Sequence, residues 1–188
     1  IKEARKEICR FTDYFPVHQS ILLIGFRMTI SYDHKLYHAF LVFNGMFGGL
    51  AVSDLFRIVR EQEGLAYDIH SGYFNDYRIY YVQAAVHYSQ LEKTERLVLD
   101  VLEEYRHGNI SLSLLEKAKH RLISVLKAKE DNDIASLFFY SRQDILHQPS
   151  ADEVISLINQ VSHDDIREVS HLLQLDTIYT LKGDSDED

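Results

Sequence analysis

The stretch that decides the fold covers residues 40–71 and reads FLVFNGMFGGLAVSDLFRIVREQEGLAYDIHS. It starts with an apolar helical pattern that the Gly48-Gly49 pair interrupts, as glycine commonly does just past the end of a helix. A second helix is predicted to start near Ser53, with Ser53 or Asp54 as its N-cap, and to run to about Gln62. Gly64 then allows the chain to reverse tightly into a strand that begins near Leu65. The sequence therefore predicts a helix–turn–strand unit.

Two hydrogen-bond donors, Arg60 and Tyr67, lie on either side of that turn. A guanidinium and a phenol could both donate to one oxygen-bearing group. Each residue also has a structural interpretation: Arg60 is a cation favoured at a helix C-terminus, and Tyr67 is a strand tyrosine at the margin of a sheet. The spacing alone does not choose between these interpretations.

Upstream of the unit, the first fifteen residues have the pattern of an amphipathic helix that Pro16 closes. Residues 20–30 are almost continuously apolar, which predicts a well-buried strand. A helix is expected from His34 to about Phe47, with Asp33 as its N-cap.

Downstream, residues 65–74 and 78–87 form two strand patterns joined by a short polar turn, which predicts a hairpin. Helices are predicted over 91–107, closed by Gly108, over much of 113–147, and over two capped segments beginning near Ser150 and Ser162. A short strand at 177–181 follows. Strands grouped apart from helices predict an α+β fold with a mainly antiparallel sheet and helices on one face. We interpret residues 1–188 as a single domain.

Composition excludes several classes of protein. The net charge of −9 offers no basic surface to neutralise phosphates, so nucleic acid is not an expected partner. Apolar runs are shorter than the roughly 18 residues that a membrane span needs, so no membrane association is expected. The single Cys9 excludes an internal disulfide and suits a reducing, cytoplasmic location. Because the chain starts with Ile1, we expect it to be part of a longer protein.

The ten histidines raise the question of a metal site. Only His34 and His38 have the i, i+4 spacing of ligands on a helix, and Tyr37 occupies the position of a catalytic glutamate. A hydrolytic zinc site also needs a carboxylate base and a third ligand, so we reject a metal site in this chain. The glycines do not form a phosphate-binding loop, and Cys9 lies in a charged segment that does not suggest a nucleophile.

A family resemblance adds to these observations. The segments 43–49, 53–56 and above all Arg60-Glu61-Gln62-Glu63-Gly64-Leu65-Ala66-Tyr67 resemble the second, non-zinc domain of the pitrilysin/insulinase family of zinc metallopeptidases. The resemblance is densest over residues 33–71, and we expect it to extend over the whole chain.

The resemblance implies a division of labour. In the family, one α+β domain carries an inverted His-x-x-Glu-His zinc motif. A second, related domain supplies an arginine and a tyrosine that reach the bound peptide near the scissile bond. These correspond to Arg60 and Tyr67. The expected partners are therefore a peptide substrate and a zinc-bearing homologous domain or subunit, with no cofactor in this chain and no activity when it is isolated.

Physical chemistry supports these roles, because donors placed where charge develops on the scissile carbonyl oxygen lower the barrier to hydrolysis. Tyr67 could donate to that oxygen, while Arg60 holds a neighbouring carbonyl or orients Tyr67. Two alternatives remain: a catalytically dead scaffold or assembly subunit of the same family, and an unrelated α+β binding module.

Overall fold

A computed structural model describes residues 7–130 and 149–183. In this part of the chain, five strands form one sheet: β1 (Cys9–Tyr14), β2 (Ser20–Met28), β3 (Ala66–Phe74), β4 (Ile79–Val86) and β5 (Leu173–Lys182). Their spatial order is β1-β5-β2-β4-β3. β1 pairs in parallel with β5, and the other pairs are antiparallel. The predicted mainly antiparallel sheet is confirmed.

The described helices are α1 (Tyr37–Asn44), α2 (Leu91–His107), α3 (Leu112–Glu130), α4 (Ala151–Gln160) and α5 (His163–His171). Two π-helical segments, Gly45–Gly49 and Phe56–Gln62, lie between α1 and β3. No helix in the two described ranges is both long and apolar enough to cross a lipid bilayer.

The helices cover one face of the sheet. Along β2 every second residue is buried, starting from Ser20, and the residues between are half-exposed. β4 shows the same alternation. The core lies between this face and the helices, and its largest buried side chains include Phe26, Phe40, Phe43, Phe47, Tyr80 and Tyr105. Together with the sheet pairing, this one-sided burial confirms the α+β class.

The sequence prediction was wrong at the start of the chain. Residues 9–14 form strand β1 rather than the second half of an amphipathic helix, and they pair with β5 from Cys9 opposite Thr177 to Tyr14 opposite Lys182. The segment is rich in aromatic and β-branched residues, which suit a strand, and β5 offers it an edge. The predicted terminal strand at 177–181 is longer, Leu173–Lys182, because residues 173–175 pair with β2.

The helix predicted from His34 also starts later. α1 begins at Tyr37, and the preceding Leu36 makes no side-chain capping bond. The carboxylate of Asp33 accepts instead from the Ser31 hydroxyl at 2.5 Å. Asp33 is therefore not the N-cap.

Other boundaries agree with the sequence. α2 ends before Gly108, which has φ +82°, and α4 and α5 start in capping boxes built on Ser150 with Glu153 and on Ser162 with Asp165. The long helical prediction over 113–147 agrees with α3 up to residue 130, and its remainder lies outside the described residues.

Candidate functional site

Arg60 lies on the π-helical segment Phe56–Gln62. The hydroxyl of Ser53 accepts from the Phe56 N–H at 3.4 Å, so of the two predicted N-caps, Ser53 and Asp54, Ser53 caps the helix that contains this segment. Arg60 is exposed, and its guanidinium carbon lies 4.6 Å from the centroid of the Phe56 ring. This cation–π contact favours one position of the Arg60 guanidinium, over the ring of Phe56. π-Helical turns are rare and frequently occur at functional sites.

A tight turn connects this segment to β3. The Leu65 N–H donates to the carbonyl of Val59 at 3.0 Å, which folds the chain back against the end of the helix. Gly64 has φ +62°, in the left-handed region that residues with a Cβ rarely adopt. The prediction that Gly64 permits the reversal is confirmed.

Tyr67 is the extra residue of a β-bulge. Ala66 pairs with Val86 and Asp68 with Ala85, so Tyr67 has no opposite residue in β4. The bulge breaks the alternation of side chains: Tyr67, 57% exposed, and its neighbour Asp68 are both exposed, whereas Ala66 before them and Ile69 after them are buried. Strict alternation along β3 would place Tyr67 on the face that the helices cover. Bulges re-aim side chains in this way and are common beside active sites.

A buried carboxylate anchors the helix of Arg60 to α2. Tyr105 of α2 donates its hydroxyl hydrogen to one oxygen of Asp54 at 2.8 Å, and Arg57 donates to the other oxygen at 2.6 Å. Burial, with the neighbouring Asp54, raises the pKa of Tyr105 well above its ordinary value. Tyr105 therefore stays protonated and remains a donor. Its ring also packs edge-on against Phe43 and Phe47, with centroids 5.4 and 5.6 Å away.

A second contact anchors β3. The Ser71 hydroxyl donates to the side-chain oxygen of Asn44 at 2.8 Å, which joins the strand to the end of α1. Gly48 makes this close approach possible, because a Cβ there would lie 2.7 Å from the Ser71 hydroxyl oxygen. A Cβ on Gly49 would lie 2.5 Å from the Asn44 amide nitrogen. The Gly48-Gly49 pair thus serves packing. The prediction that the pair interrupts the helix was wrong in its position, because both glycines lie inside the π-helical segment Gly45–Gly49, whose C-cap is Leu50.

The structure therefore presents both predicted donors at one end of β3, exposed and on either side of a fixed turn. Sequence reasoning missed the residues that hold them: Asn44, Asp54, Ser71 and Tyr105. The only available signal was an acidic residue, Asp54, just after the helix cap and before an apolar run.

The two histidines considered as ligands are arranged differently from a metal site. His34 precedes α1, and its Nδ1 accepts from the Leu36 N–H at 3.1 Å. His38 is half-buried, which lowers its pKa, and it packs edge-on against Tyr37 at 5.5 Å. In the described ranges, no three His, Cys, Asp or Glu side chains are grouped as metal ligands would be. These residues do not fit a zinc ion.

Comparison with known proteins identifies the family. The sequence profile described as "Peptidase M16 inactive domain" matches residues 3–122, more than half of the chain. The chain belongs to the peptidase M16 inactive domain family. It is thus a non-catalytic domain of a family of zinc proteases, in agreement with the resemblance seen in the sequence.

Two curated relatives come from Bacillus subtilis (strain 168). The M16 inactive domain is 29% identical over 168 residues to a protein named "Probable inactive metalloprotease YmfF", covering 89% of this chain and 39% of that protein. It is 24% identical over 148 residues to the "Uncharacterized zinc protease YmxG", covering 77% and 36%. The chain therefore spans about two fifths of the length of these relatives.

A solved structure has the same fold throughout. The crystal structure of a conserved protein from Enterococcus faecalis V583 superposes with a TM-score of 0.94 and 32% identity, over 100% of this chain and 44% of that one. This M16 inactive domain thus corresponds to somewhat less than half of a longer chain in that protein as well.

Proposed function

We propose that this domain binds the peptide substrate of a zinc-dependent endopeptidase, and that Arg60 and Tyr67 contact the peptide beside the scissile bond. The zinc ion and its activated water belong to a homologous domain or a separate subunit. On this proposal the chain alone is inactive, because the zinc-dependent chemistry is supplied by that other half.

The bulge at Tyr67 is the observation that carries this proposal. The backbone of β3 departs from regular pairing at this one residue, and the result is a large aromatic donor turned to solvent. A tyrosine exposed in this way removes little apolar surface from water, so it adds little to the stability of the fold. Its position across the turn from the exposed Arg60 is consistent with a surface that binds a ligand.

The chemistry follows from the two donors. During peptide hydrolysis, negative charge develops on the scissile carbonyl oxygen, and a positioned O–H group stabilises it more than it stabilises the substrate. Tyr67 supplies that group in our proposal. The planar guanidinium of Arg60 can hold a neighbouring peptide carbonyl with two N–H donors and so fix the register of the peptide.

The test uses the full-length protein assembled with its zinc-bearing half and a fluorogenic peptide. Tyr67→Phe and Arg60→Ala should each lower kcat/KM on the order of a hundredfold, because each removes a donor to the reacting peptide. Loss of the Tyr67 hydroxyl should reduce kcat in particular, because its bond strengthens in the transition state.

Matched controls are Tyr77→Phe, at the opposite end of β3, and Arg121→Ala on α3. Both side chains are exposed and distant from the turn in sequence. Unchanged kcat/KM in both Tyr67→Phe and Arg60→Ala would contradict the proposal.

A second candidate is a catalytically dead scaffold or assembly subunit. The name of the 29% identical relative, "Probable inactive metalloprotease", favours it. The presence or absence of a His-x-x-Glu-His motif in the homologous half separates the two. A scaffold would also show no hydrolysis with zinc present, and Arg60→Ala would leave its assembly unchanged.

A further inference from the structure

We propose that Phe74 and Tyr81 form an aromatic subsite for the bound peptide, which takes an aromatic side chain about four to six residues from the scissile bond. This inference rests on the proposed function and extends it from the reacting bond to the sequence preference of the peptidase. It places a second contact surface on β3, at the opposite end of the strand from Tyr67.

The face of β3 that the described helices leave uncovered begins at Tyr67. Beyond the bulge, every second residue of the strand lies on this face, and each pairs with a half-exposed or exposed residue of β4. These residues of β3 are Asp68, His70, Gly72 and Phe74. A peptide that contacts Tyr67 and continues along the strand therefore passes over this row.

Tyr81 of β4 reaches across onto β3. It pairs with Gly72, and a Cβ on Gly72 would lie 2.5 Å from the Tyr81 hydroxyl oxygen, so the ring occupies the space that a side chain there would need. The ring of His70 meets Tyr81 edge-on, with centroids 6.4 Å apart. Phe74 stacks on Tyr81 with centroids 5.5 Å apart and 24° between the ring planes. These contacts fix the position of the Tyr81 ring.

The stability of the fold accounts for Tyr81 but not for Phe74. An aromatic residue that covers a glycine on the neighbouring strand stabilises the sheet. Phe74 is 54% exposed on the edge strand, so it removes little apolar surface from water. An exposed aromatic residue there favours association with other molecules and is typical of binding surfaces. The exposed part of the stacked pair can take a third ring in the same offset geometry.

Strand geometry sets the distance between the bulge and the aromatic pair. Gly72, beneath the Tyr81 ring, follows Asp68 by four residues, and Phe74 follows it by six. At about 3.3 Å per residue, the pair lies roughly 13–20 Å along β3 from the bulge. An extended peptide advances by a similar length per residue, so its residue at the pair is about four to six positions from the residue beside Tyr67.

The experiment uses the full-length protein assembled with its zinc-bearing half and a set of fluorogenic peptides. The peptides are alanine-rich and differ only in the position of one phenylalanine, which is moved along both sides of the scissile bond. Phenylalanine about four to six residues from the bond, on one side, should raise kcat/KM on the order of tenfold over alanine. A contact so far from the reacting bond is made equally in the substrate complex and in the transition state. The gain should therefore appear as a lower KM at unchanged kcat.

Two variants remove the subsite in different ways. Phe74→Ala removes the exposed ring, and Gly72→Ala displaces the Tyr81 ring without removing an aromatic residue. Each should reduce the preference for phenylalanine to less than about twofold, while kcat/KM for the peptide without phenylalanine stays within about twofold of wild type. The matched control is Phe11→Ala, because Phe11 is 55% exposed and lies on β1, at the other edge of the sheet. It should keep the full preference.

The ratio between peptides separates a subsite from a structural role. Loss of folded protein would lower kcat/KM for every peptide, whereas loss of the subsite changes only the preference. If wild type shows no preference, or if Phe74→Ala or Gly72→Ala keeps it in full, the proposal is overturned. It is also overturned if Phe74→Ala disrupts assembly with the zinc-bearing half in analytical ultracentrifugation, because the surface then binds that partner.

Failure of this inference is distinguishable from failure of the proposed function. If Arg60→Ala and Tyr67→Phe lower kcat/KM for all peptides while the preference persists in Phe74→Ala, only this inference fails. If the assembled protein hydrolyses no peptide, or if Arg60→Ala and Tyr67→Phe are both silent, the proposed function fails and this inference fails with it.

Discussion

Two parts of this domain place polar side chains beside the end of a helix, and they use them in opposite ways. Around the turn after the second π-helical segment, Arg60 and Tyr67 are exposed above a buried network. Around the start of α1, His34 accepts from a backbone N–H and the Tyr37 hydroxyl accepts from Asn75 at 3.2 Å. Burial also raises the pKa of Tyr37 above its ordinary value.

The comparison of these two regions distinguishes residues that are exposed and can bind a ligand from residues that stabilise the fold. Groups that act on a ligand must keep their donors accessible while the backbone beneath them stays fixed. Around the turn, these two roles belong to separate residues. Asp54 and Ser71 fix the backbone through their hydrogen bonds, and Arg60 and Tyr67 face solvent. Around the start of α1, the polar groups of His34 and Tyr37 instead make hydrogen bonds within the fold.

The largest expected effect comes from removing a tyrosine of the supporting network. Tyr105→Ala should lower the free energy of unfolding by about 3–5 kcal/mol, because a fully buried ring and the partner of Asp54 are lost together. Tyr67→Ala should cost less than about 0.5 kcal/mol, because Tyr67 is exposed. Urea denaturation of the full-length protein measures both. If the two substitutions lowered the free energy of unfolding by similar amounts, the distinction between a structural Tyr105 and an exposed, ligand-binding Tyr67 would fail.

A smaller effect is expected at Gly48, where the added Cβ of Gly48→Ala would lie 2.7 Å from the Ser71 hydroxyl and 3.0 Å from Leu55. Overpacking of this kind should cost about 1–3 kcal/mol, since both neighbours belong to packed elements. Gly25→Ala is the control, because its nearest neighbour would be the Thr177 carbonyl at 3.5 Å. That change should be neutral or stabilising by up to about 1 kcal/mol. Equal denaturation midpoints for the two variants would show that the close approach to β3 is not needed.

The smallest effect concerns pH and His38, in the first turn of α1. Burial lowers the pKa of His38 in the folded protein, so the unfolded chain takes up a proton at higher pH than the folded one. The contribution of neutral His38 is fully present above the unfolded pKa of about 6.5 and is lost as the pH falls from there towards the folded pKa. His38→Gln should therefore flatten the fall in stability between about pH 7 and pH 5. Parallel pH curves for wild type and His38→Gln would contradict this.

The parts of the fold that local chemistry determines were predictable. The limits of α2 follow from its apolar spacing and from Gly108, and the starts of α4 and α5 follow from serine caps with acidic residues three positions later. The hairpin of β3 and β4 was found because alternating strands flank a short polar turn. Each of these signals lies within a few residues of the boundary that it sets.

The features that depend on distant partners were not predictable from one sequence. β1 becomes a strand because β5, near the other end of the chain, provides its edge. Asp54 and Tyr105 are separated by 51 positions, so nothing local indicates their bond. The bulge at Tyr67 depends on its register with β4. Arg60 and Tyr67 could therefore be singled out by residue type and resemblance, whereas their supporting network required the structure.

The position of β5 has a consequence for how the sheet is assembled. This last strand of the described chain lies inside the sheet, between β1 and the much earlier β2. A nascent chain can pair β2, β3 and β4 early, but one side of β2 stays unpaired until β5 has been synthesised. Contacts between residues so far apart in sequence slow folding, and an unpaired apolar strand edge invites association with other chains. A product truncated before residue 173 would thus leave one edge of β2, the middle strand of the sheet, without a partner.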